Sequence, residues 1–211
     1  MNLTKNDVHQ CQQKDDWSLG NRILYDLCKK HPRHDQKDEI LAKIWLIGRA
    51  YSASIERRSP QRGRPKGDRF YTYVVVPKIM RSKIDKYLDE IKKLRPMSER
   101  SNQKALQAHK YLTMIFKEIS QRDKRSLASK YLHFHLPNHF FIYDNRAKSG
   151  LRMILPRQRI TIISDKKCDK QYAVYFRKVI ELRNKISQEY QVNLTPREID
   201  KMLLVKAAMY K

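Results

Sequence analysis

The sequence predicts an all-α protein, on three observations. Glycine is scarce, at 5 of 211 residues, and a β-sandwich of this size needs more tight turns than that supplies. Apolar residues recur at helical spacing in one segment after another. The stretch Thr195-Pro196-Arg197-Glu198 combines an N-cap hydroxyl, a first-turn proline and a Glu three residues beyond the cap, which together mark a helix start. A chain of this length forms one large domain or two small lobes sharing a core. Its hydrophobic content of 40% is enough to pack one.

The elements follow in order. After a polar lead, a helix is expected from about Trp17 to Lys29, with Leu19, Ile23, Leu24 and Leu27 on one face, closed by Pro32. The most apolar helix runs from Asp35 to about Arg58 and includes Ile40, Leu41, Ile44, Trp45, Ile47, Ala50, Tyr51 and Ile55. These fall on more than one face, so burial on several sides is expected, with Trp45 and Tyr51 in the core first. Phe70 to Val76 reads as a short strand or extended lead-in, and a helix from about Lys78 to Lys93 ends before Pro96. A helix over about Asn102–Ile119 turns Leu106, Leu112, Ile115, Phe116 and Ile119 inward. The polar turn Ser120 to Lys124 leads into a helix from Arg125 to about His135. Residues 136–143, LPNHFFIY, form an apolar, partly extended connector, and Asp144 caps a helix to about Met153. Residues 155–170 read as a loop with room for a short strand at Ile160–Ile163. The last two helices are expected over about Tyr172–Tyr190 and Pro196–Met209.

Charge is the strongest compositional signal: 46 Lys and Arg against 22 Asp and Glu, a net +24. Self-repulsion of that size destabilises a compact chain unless a polyanion is near. Nucleic acid is the first reading and an anionic membrane surface the second. A ribosomal or scaffold protein shows the same excess, so charge alone does not argue for catalysis. No apolar run reaches the length of a membrane span, and Met1 to Gln13 lacks the apolar core of a signal peptide. A cytoplasmic protein with no membrane partner is expected. Cys11, Cys28 and Cys168 form no C-x-x-C pair, which fits free thiols in a reducing compartment.

Two stretches carry chemistry. RRSPQRGRPKGD, within 57–69, holds Arg57, Arg58, Arg62, Arg64 and Lys66 with no acid between Glu56 and Asp68. Such a loop can lie along phosphates; the bland alternative is a solvated loop. Between Asp123 and Asp165, Asp144 is the only acid among eight cations: Lys124, Arg125, Lys130, Arg146, Lys148, Arg152, Arg157 and Arg159. A lone carboxylate repels phosphate, so its presence calls for a reason. It can stabilise a developing cation or orient a water, or it only caps the next helix. One residue can do both. His133, His135 and His139 do not make a metal site by this reading, because residues two apart on a helix point to different sides, and no metal is expected.

Arg125-Ser126-Leu127-Ala128-Ser129-Lys130-Tyr131-Leu132, then Pro137, then Phe141-Ile142-Tyr143-Asp144-Asn145-Arg146-Ala147, resembles the centre of helix-hairpin-helix DNA glycosylases. The resemblance implies a two-lobed helical fold. The central lobe would be residues 36–150, with the basic loop 57–69 and the hairpin 120–124; residues 1–35 plus 151–211 would form the second. It implies that Asp144 supports cleavage of an N-glycosidic bond. The position of the lyase lysine of bifunctional members falls on Ser126, eighteen residues before Asp144, which is the monofunctional pattern. Ile47-Gly48-Arg49-Ala50-Tyr51-Ser52-Ala53-Ser54-Ile55 resembles the family's pocket-lining helix, with Ala53 and Ser54 where a glutamine pair often stands. Arg49, Tyr51, Ser54 and Tyr143 would form the base pocket. Arg57, Arg58, Arg62, Arg64, Lys66, Lys124, Arg125, Ser126, Lys130 and Arg146 would contact DNA. The hairpin lacks the family's usual glycines, and the iron–sulfur cysteines of some members are absent.

The expectation is a monomeric DNA glycosylase acting on double-stranded DNA without a cofactor. It would flip a damaged or modified base and leave an abasic site. The chain also resembles small bacterial glycosylases that act against phages by excising heavily modified cytosines. The competing readings are a non-catalytic DNA- or RNA-binding protein and a basic RNA-cleaving toxin. The toxin would need a general acid that the sequence does not single out.

Overall fold

The computed structural model describes residues 3–57, 65–155 and 167–209. The fold is all-α, with no strand among the described residues. Its elements are α1 (Lys5–Gln12), α2 (Ser18–Lys30), α3 (Lys37–Ala50), α4 (Asp68–Phe70), a π-helical turn (Tyr71–Val75), α5 (Val76–Met80), α6 (Ile84–Lys92), α7 (Glu99–Ser120), α8 (Arg125–His135), α9 (Asn145–Ile154), α10 (Lys170–Tyr190) and α11 (Pro196–Ala208). The strand expected at Ile160–Ile163 lies outside the described residues.

Helix α8 is the axis of the molecule. Its residues Leu127 to Phe134 are buried without a break, as in a helix covered on all sides. Helices α2, α3 and α7 pack on it, while α10 spans α7 and α9. Helix α11 lies along α9 and also touches α1. The crossing of α9 and α11 is close because Gly150 has no side chain: a Cβ there would fall 2.0 Å from the Leu203 carbonyl oxygen. The capping box expected at Thr195 is present. Glu198 N donates to Thr195 Oγ1 at 3.3 Å and Thr195 N donates to Glu198 Oε2 at 2.7 Å.

Several local expectations are corrected. The polar lead contains α1, started by a second capping box in which Thr4 N donates to Asp7 Oδ2 at 2.8 Å. On α2 the buried face is Asn21, Leu24 and Cys28. Leu19 and Ile23 are 59% and 56% exposed, because α2 meets α3 and α8 through its other stripe. Trp45 is 42% exposed, since α3 turns Ile40, Ile44 and Ile47 inward. Phe70 to Val76 is helical rather than extended. Its π-helical turn carries one extra residue, which sets Phe70 and Tyr71 on the same buried side as Val75, Val76 and Ile79. The wide turn also accommodates Pro77, which has no N–H for an ordinary helical bond. The helix expected over 78–93 is two, α5 and α6, broken at 81–83.

The helix expected to reach Arg58 stops at Ala50. Ala53 N donates to the Gly48 carbonyl at 2.8 Å, and a Cβ on Gly48 would stand 3.0 Å from Ser54 Cα. The chain thus folds back over the end of α3, with Ser52 in the left-handed region at φ 49°. That reversal leaves Tyr51 and Ser52 beside α8.

Candidate functional site

The connector after α8 passes through the core, where every polar backbone group needs a partner. Side chains supply them. His133 Nδ1 donates to the Phe140 carbonyl at 2.8 Å, which leaves Nε2 to accept from Tyr25 Oη at 2.7 Å. Tyr172 Oη donates to the Phe141 carbonyl at 2.9 Å and Tyr175 Oη to the Ile142 carbonyl at 2.7 Å. Tyr143 N donates to Ser129 Oγ at 3.0 Å. Phe140 to Tyr143 are all buried. An apolar segment clamped in this way delivers Asp144 to a fixed place at the start of α9.

Asp144 is the N-cap of α9. Its Oδ1 accepts from Ala147 N at 2.9 Å and its Oδ2 from Lys130 Nζ at 3.0 Å. Burial works against the charge, but Lys130 and the backbone N–H groups of Ala147 and Arg146 outweigh it and hold the carboxyl below its ordinary value. Lys130 itself is enclosed, with a side chain 3% exposed. Its Nζ also donates to Ser126 Oγ at 3.0 Å and the Tyr51 carbonyl at 3.4 Å, and it lies 5.5 Å from the centre of the Tyr51 ring.

These residues line a pocket of about 560 Å³ whose walls are Trp17, Asn21, Ala50, Tyr51, Ser52, Ser126, Lys130, Tyr143, Asp144, Asn145, Arg146, Arg197, Asp200 and Leu204. Helix α11 contributes an ion pair, Arg197 Nη1 to Asp200 Oδ2 at 2.7 Å. The Arg197 guanidinium sits 5.9 Å from the Tyr51 ring centre, and Tyr51 Oη donates to Asn21 Oδ1 at 2.6 Å. Burial pushes the Asp200 carboxyl up to about 6; the charge of Asp144 adds to the rise, while Arg197, Lys130 and Arg146 oppose it. The pocket therefore holds two carboxyls displaced in opposite directions. Trp17, 68% exposed, stands on the rim.

Of the site residues read from the sequence, Asp144, Tyr51, Tyr143, Ser126, Lys130 and Arg146 come together here. Arg49 and Ser54 do not line the pocket. Arg49 turns outward to pair with Glu56 at 2.6 Å, and Ser54 is drawn under Gly48 by the chain reversal. Lys130 is not a surface phosphate contact, because it is buried against Asp144. Lys124 donates to the Arg57 and Ser54 carbonyls, and so fastens the start of the basic loop. Arg125 pairs with Asp169 at 2.8 Å and Asp123 at 3.2 Å. Arg57 and Lys66 are exposed at the ends of that loop; Arg58, Arg62 and Arg64 lie outside the described residues. Arg197, Asp200, Asn21 and Trp17 are pocket residues that the sequence does not announce. Arg197 and Asp200 follow a helix start that is legible, but their facing Asp144 depends on how α11 crosses α9.

Gln121 ends α7 in the left-handed conformation, at φ 56°, where a glycine would be strain-free. Residues 121–124 thus make a helix–turn–helix link between α7 and α8. Among the described residues no three His, Cys, Asp or Glu side chains are grouped to hold a metal ion, and no helix is long and apolar enough to cross a membrane.

A family model described as the HI_0787 N-terminal domain matches residues 3–139. The matched span contains Tyr51, Ser126 and Lys130 and stops short of Asp144, Arg197 and Asp200. No curated protein and no solved structure matches the chain.

Proposed function

The chain belongs to the HI_0787 N-terminal domain family, and we propose that it is a monofunctional DNA glycosylase. It flips a modified or damaged base from double-stranded DNA and hydrolyses its N-glycosidic bond. The observation that carries this reading is a half-buried carboxylate, Asp144, held below its ordinary pKa and fixed in the wall of a 560 Å³ pocket that Tyr51 and Tyr143 also line. A nucleobase is flat, aromatic and edged with hydrogen-bonding groups, and a pocket lined by tyrosines and polar side chains is the kind of site that takes one. As the base departs, positive charge develops on the sugar. A carboxylate already in position stabilises that charge or orients the attacking water. The net charge of +24 supports a polyanionic partner, and Arg146, exposed beside Asp144, would meet a phosphate flanking the flipped nucleotide. Lys130 favours the monofunctional form: its Nζ is held by Asp144, Ser126 Oγ and the Tyr51 carbonyl, and a side chain fastened in this way is not free to swing to the sugar.

A second reading rests on the same contacts. Both oxygens of Asp144 have protein partners, as they would in a basic nucleic-acid-binding protein where Asp144 only caps α9. Incubation with DNA carrying damaged bases, and with phage DNA carrying modified cytosines, tests the two. Abasic sites formed by the wild type and lost in Asp144→Asn support excision. Tight binding with no abasic sites on any of these DNAs supports the non-catalytic protein.

A further inference from the structure

We propose that Asp200 is the general acid of this pocket, passing a proton from Oδ1 to an acceptor atom of the departing base; the inference rests on the glycosylase reading. Asp200 lines the pocket, yet its side chain is only 2% exposed. Arg197 Nη1 holds Oδ2 at 2.7 Å, and Oδ1 has no hydrogen-bond partner among the described residues. A buried oxygen left without a partner is unfavourable for the free protein, and a ligand whose binding turns the Asp200 carboxyl toward the pocket can relieve it. A bound base presents acceptor atoms on its edge, and the form of Asp200 that meets them is the protonated acid, with its hydrogen on Oδ1.

The surroundings separate the two carboxyls. The groups facing Asp200 are Arg197 on its own helix, Asp144 and Arg146 at the start of α9, and Lys130 on α8. The hydroxyls of Tyr25, Tyr51 and Tyr175 complete the set. Asp144 is held ionised by its cation and backbone N–H groups, whereas burial keeps Asp200 readily protonated. Paired carboxyls pushed apart in this way divide into an anion and an acid. The step balances. The bond from the sugar C1′ to the base nitrogen breaks, and its electron pair goes to the base. The proton on Asp200 Oδ1 moves to the base and neutralises it. Water adds its oxygen to C1′ and releases a proton through Asp144 to solvent, and solvent returns one to Asp200.

An acid in this place favours bases that leave poorly as anions. Cytosine-type bases are of that kind, since one ring carbonyl shares the charge; uracil has two and leaves more readily. The test is single-turnover base release across mildly acidic to mildly alkaline pH. The probes are duplexes carrying one 5-hydroxymethylcytosine or one uracil, and the proteins are wild type, Asp200→Asn, Asp200→Glu and Asp144→Asn. Asp200→Asn should slow release of 5-hydroxymethylcytosine by about 10²- to 10⁴-fold, the range for a lost general acid. It should also remove the fall in rate that the wild type shows as pH rises. Uracil release should fall much less, and Asp200→Glu should recover part of the rate and the pH dependence. A melting temperature for Asp200→Asn at or above the wild type excludes unfolding as the cause. If only one base is released, the pH profile decides. Active wild type, inactive Asp144→Asn and Asp200→Asn with wild-type rate and profile would overturn the role of Asp200 alone. Where neither base is released but abasic sites form in the damaged or phage DNA above, the same comparison is made on the base released there; a wild type that forms none on any of these DNAs overturns the glycosylase reading and this inference with it.

Discussion

Asp144 uses its two oxygens for different purposes. Oδ1 closes the first turn of α9 through Ala147 N, which fixes the carboxyl without consuming Oδ2. Oδ2 meets Lys130 Nζ at 3.0 Å, and this contact, with the backbone, keeps the group charged in a half-buried wall. On the proposed glycosylase reading, the sugar of the flipped nucleotide would meet the same oxygen. Lys130 Nζ is held by Asp144, Ser126 and the Tyr51 carbonyl, so borohydride added during base release should trap no covalent protein–DNA adduct. An adduct that disappears in Lys130→Met would contradict this and make the protein a lyase as well. The sequence makes Asp144 visible by contrast, as one acid among eight cations. It does not reveal Lys130, because a lysine destined for burial and one destined for phosphate look alike until the surrounding helices are placed.

At the scale of elements, the site depends on how α11 meets α9. Asp200 and Arg197 reach the pocket because Gly150 lets α9 approach the backbone of Leu203. Gly150→Ala forces the two helices apart, since a backbone carbonyl cannot turn aside as a side chain can. It should destabilise the protein by about 3 kcal/mol, the upper end of the usual range for overpacking, and pull Asp200 back from the pocket. Chemical denaturation checks the first effect, and an unchanged unfolding midpoint would contradict the close crossing. Most helices were legible from spacing and caps, α7 through α11 above all. Failures came where local propensity lost to context. Val74, Val75 and Val76 favour a strand by residue type, but the burial of Val75 and Val76 on the side of Phe70 and Tyr71 draws the segment into a π-helical turn that runs on into α5. The end of α3 at Ala50 carries neither proline nor glycine at the break, and depends on Ser54 folding back over Gly48.

For the whole molecule, five histidines set the response to acid. Burial is the first cause that lowers the pKa of His34, His109, His133, His135 and His139, with His109 and His133 brought to about 4. A histidine lowered in the folded state takes up protons more readily when unfolded. Its contribution is therefore complete above its ordinary value near 6.5 and is lost as pH falls toward the folded value. Asp200, raised to about 6, acts in the opposite direction over the same window, but it is one group against five. The melting temperature should thus drop steadily between neutral pH and pH near 4, before the surface carboxylates titrate. A flat profile over that window would mean that these histidines are not held neutral in the core. Such buried pairings, His34 with Asp85 at 2.5 Å and Tyr131 at 2.7 Å among them, join residues some fifty and a hundred positions apart. That distance along the chain is why charge and periodicity alone did not disclose them.

The most direct test of the central claim compares wild type with Asp144→Asn on one duplex that the wild type acts on, measuring single-turnover base release and DNA affinity side by side. Asn keeps the cap, because its side-chain oxygen still accepts from Ala147 N, and removes the charge. Release should fall by about 10²- to 10³-fold, as for a lost electrostatic stabiliser, with affinity unchanged or tighter now that a charge repelling phosphate is gone. Equal release by the two proteins would contradict the account and leave Asp144 as the cap of α9 alone.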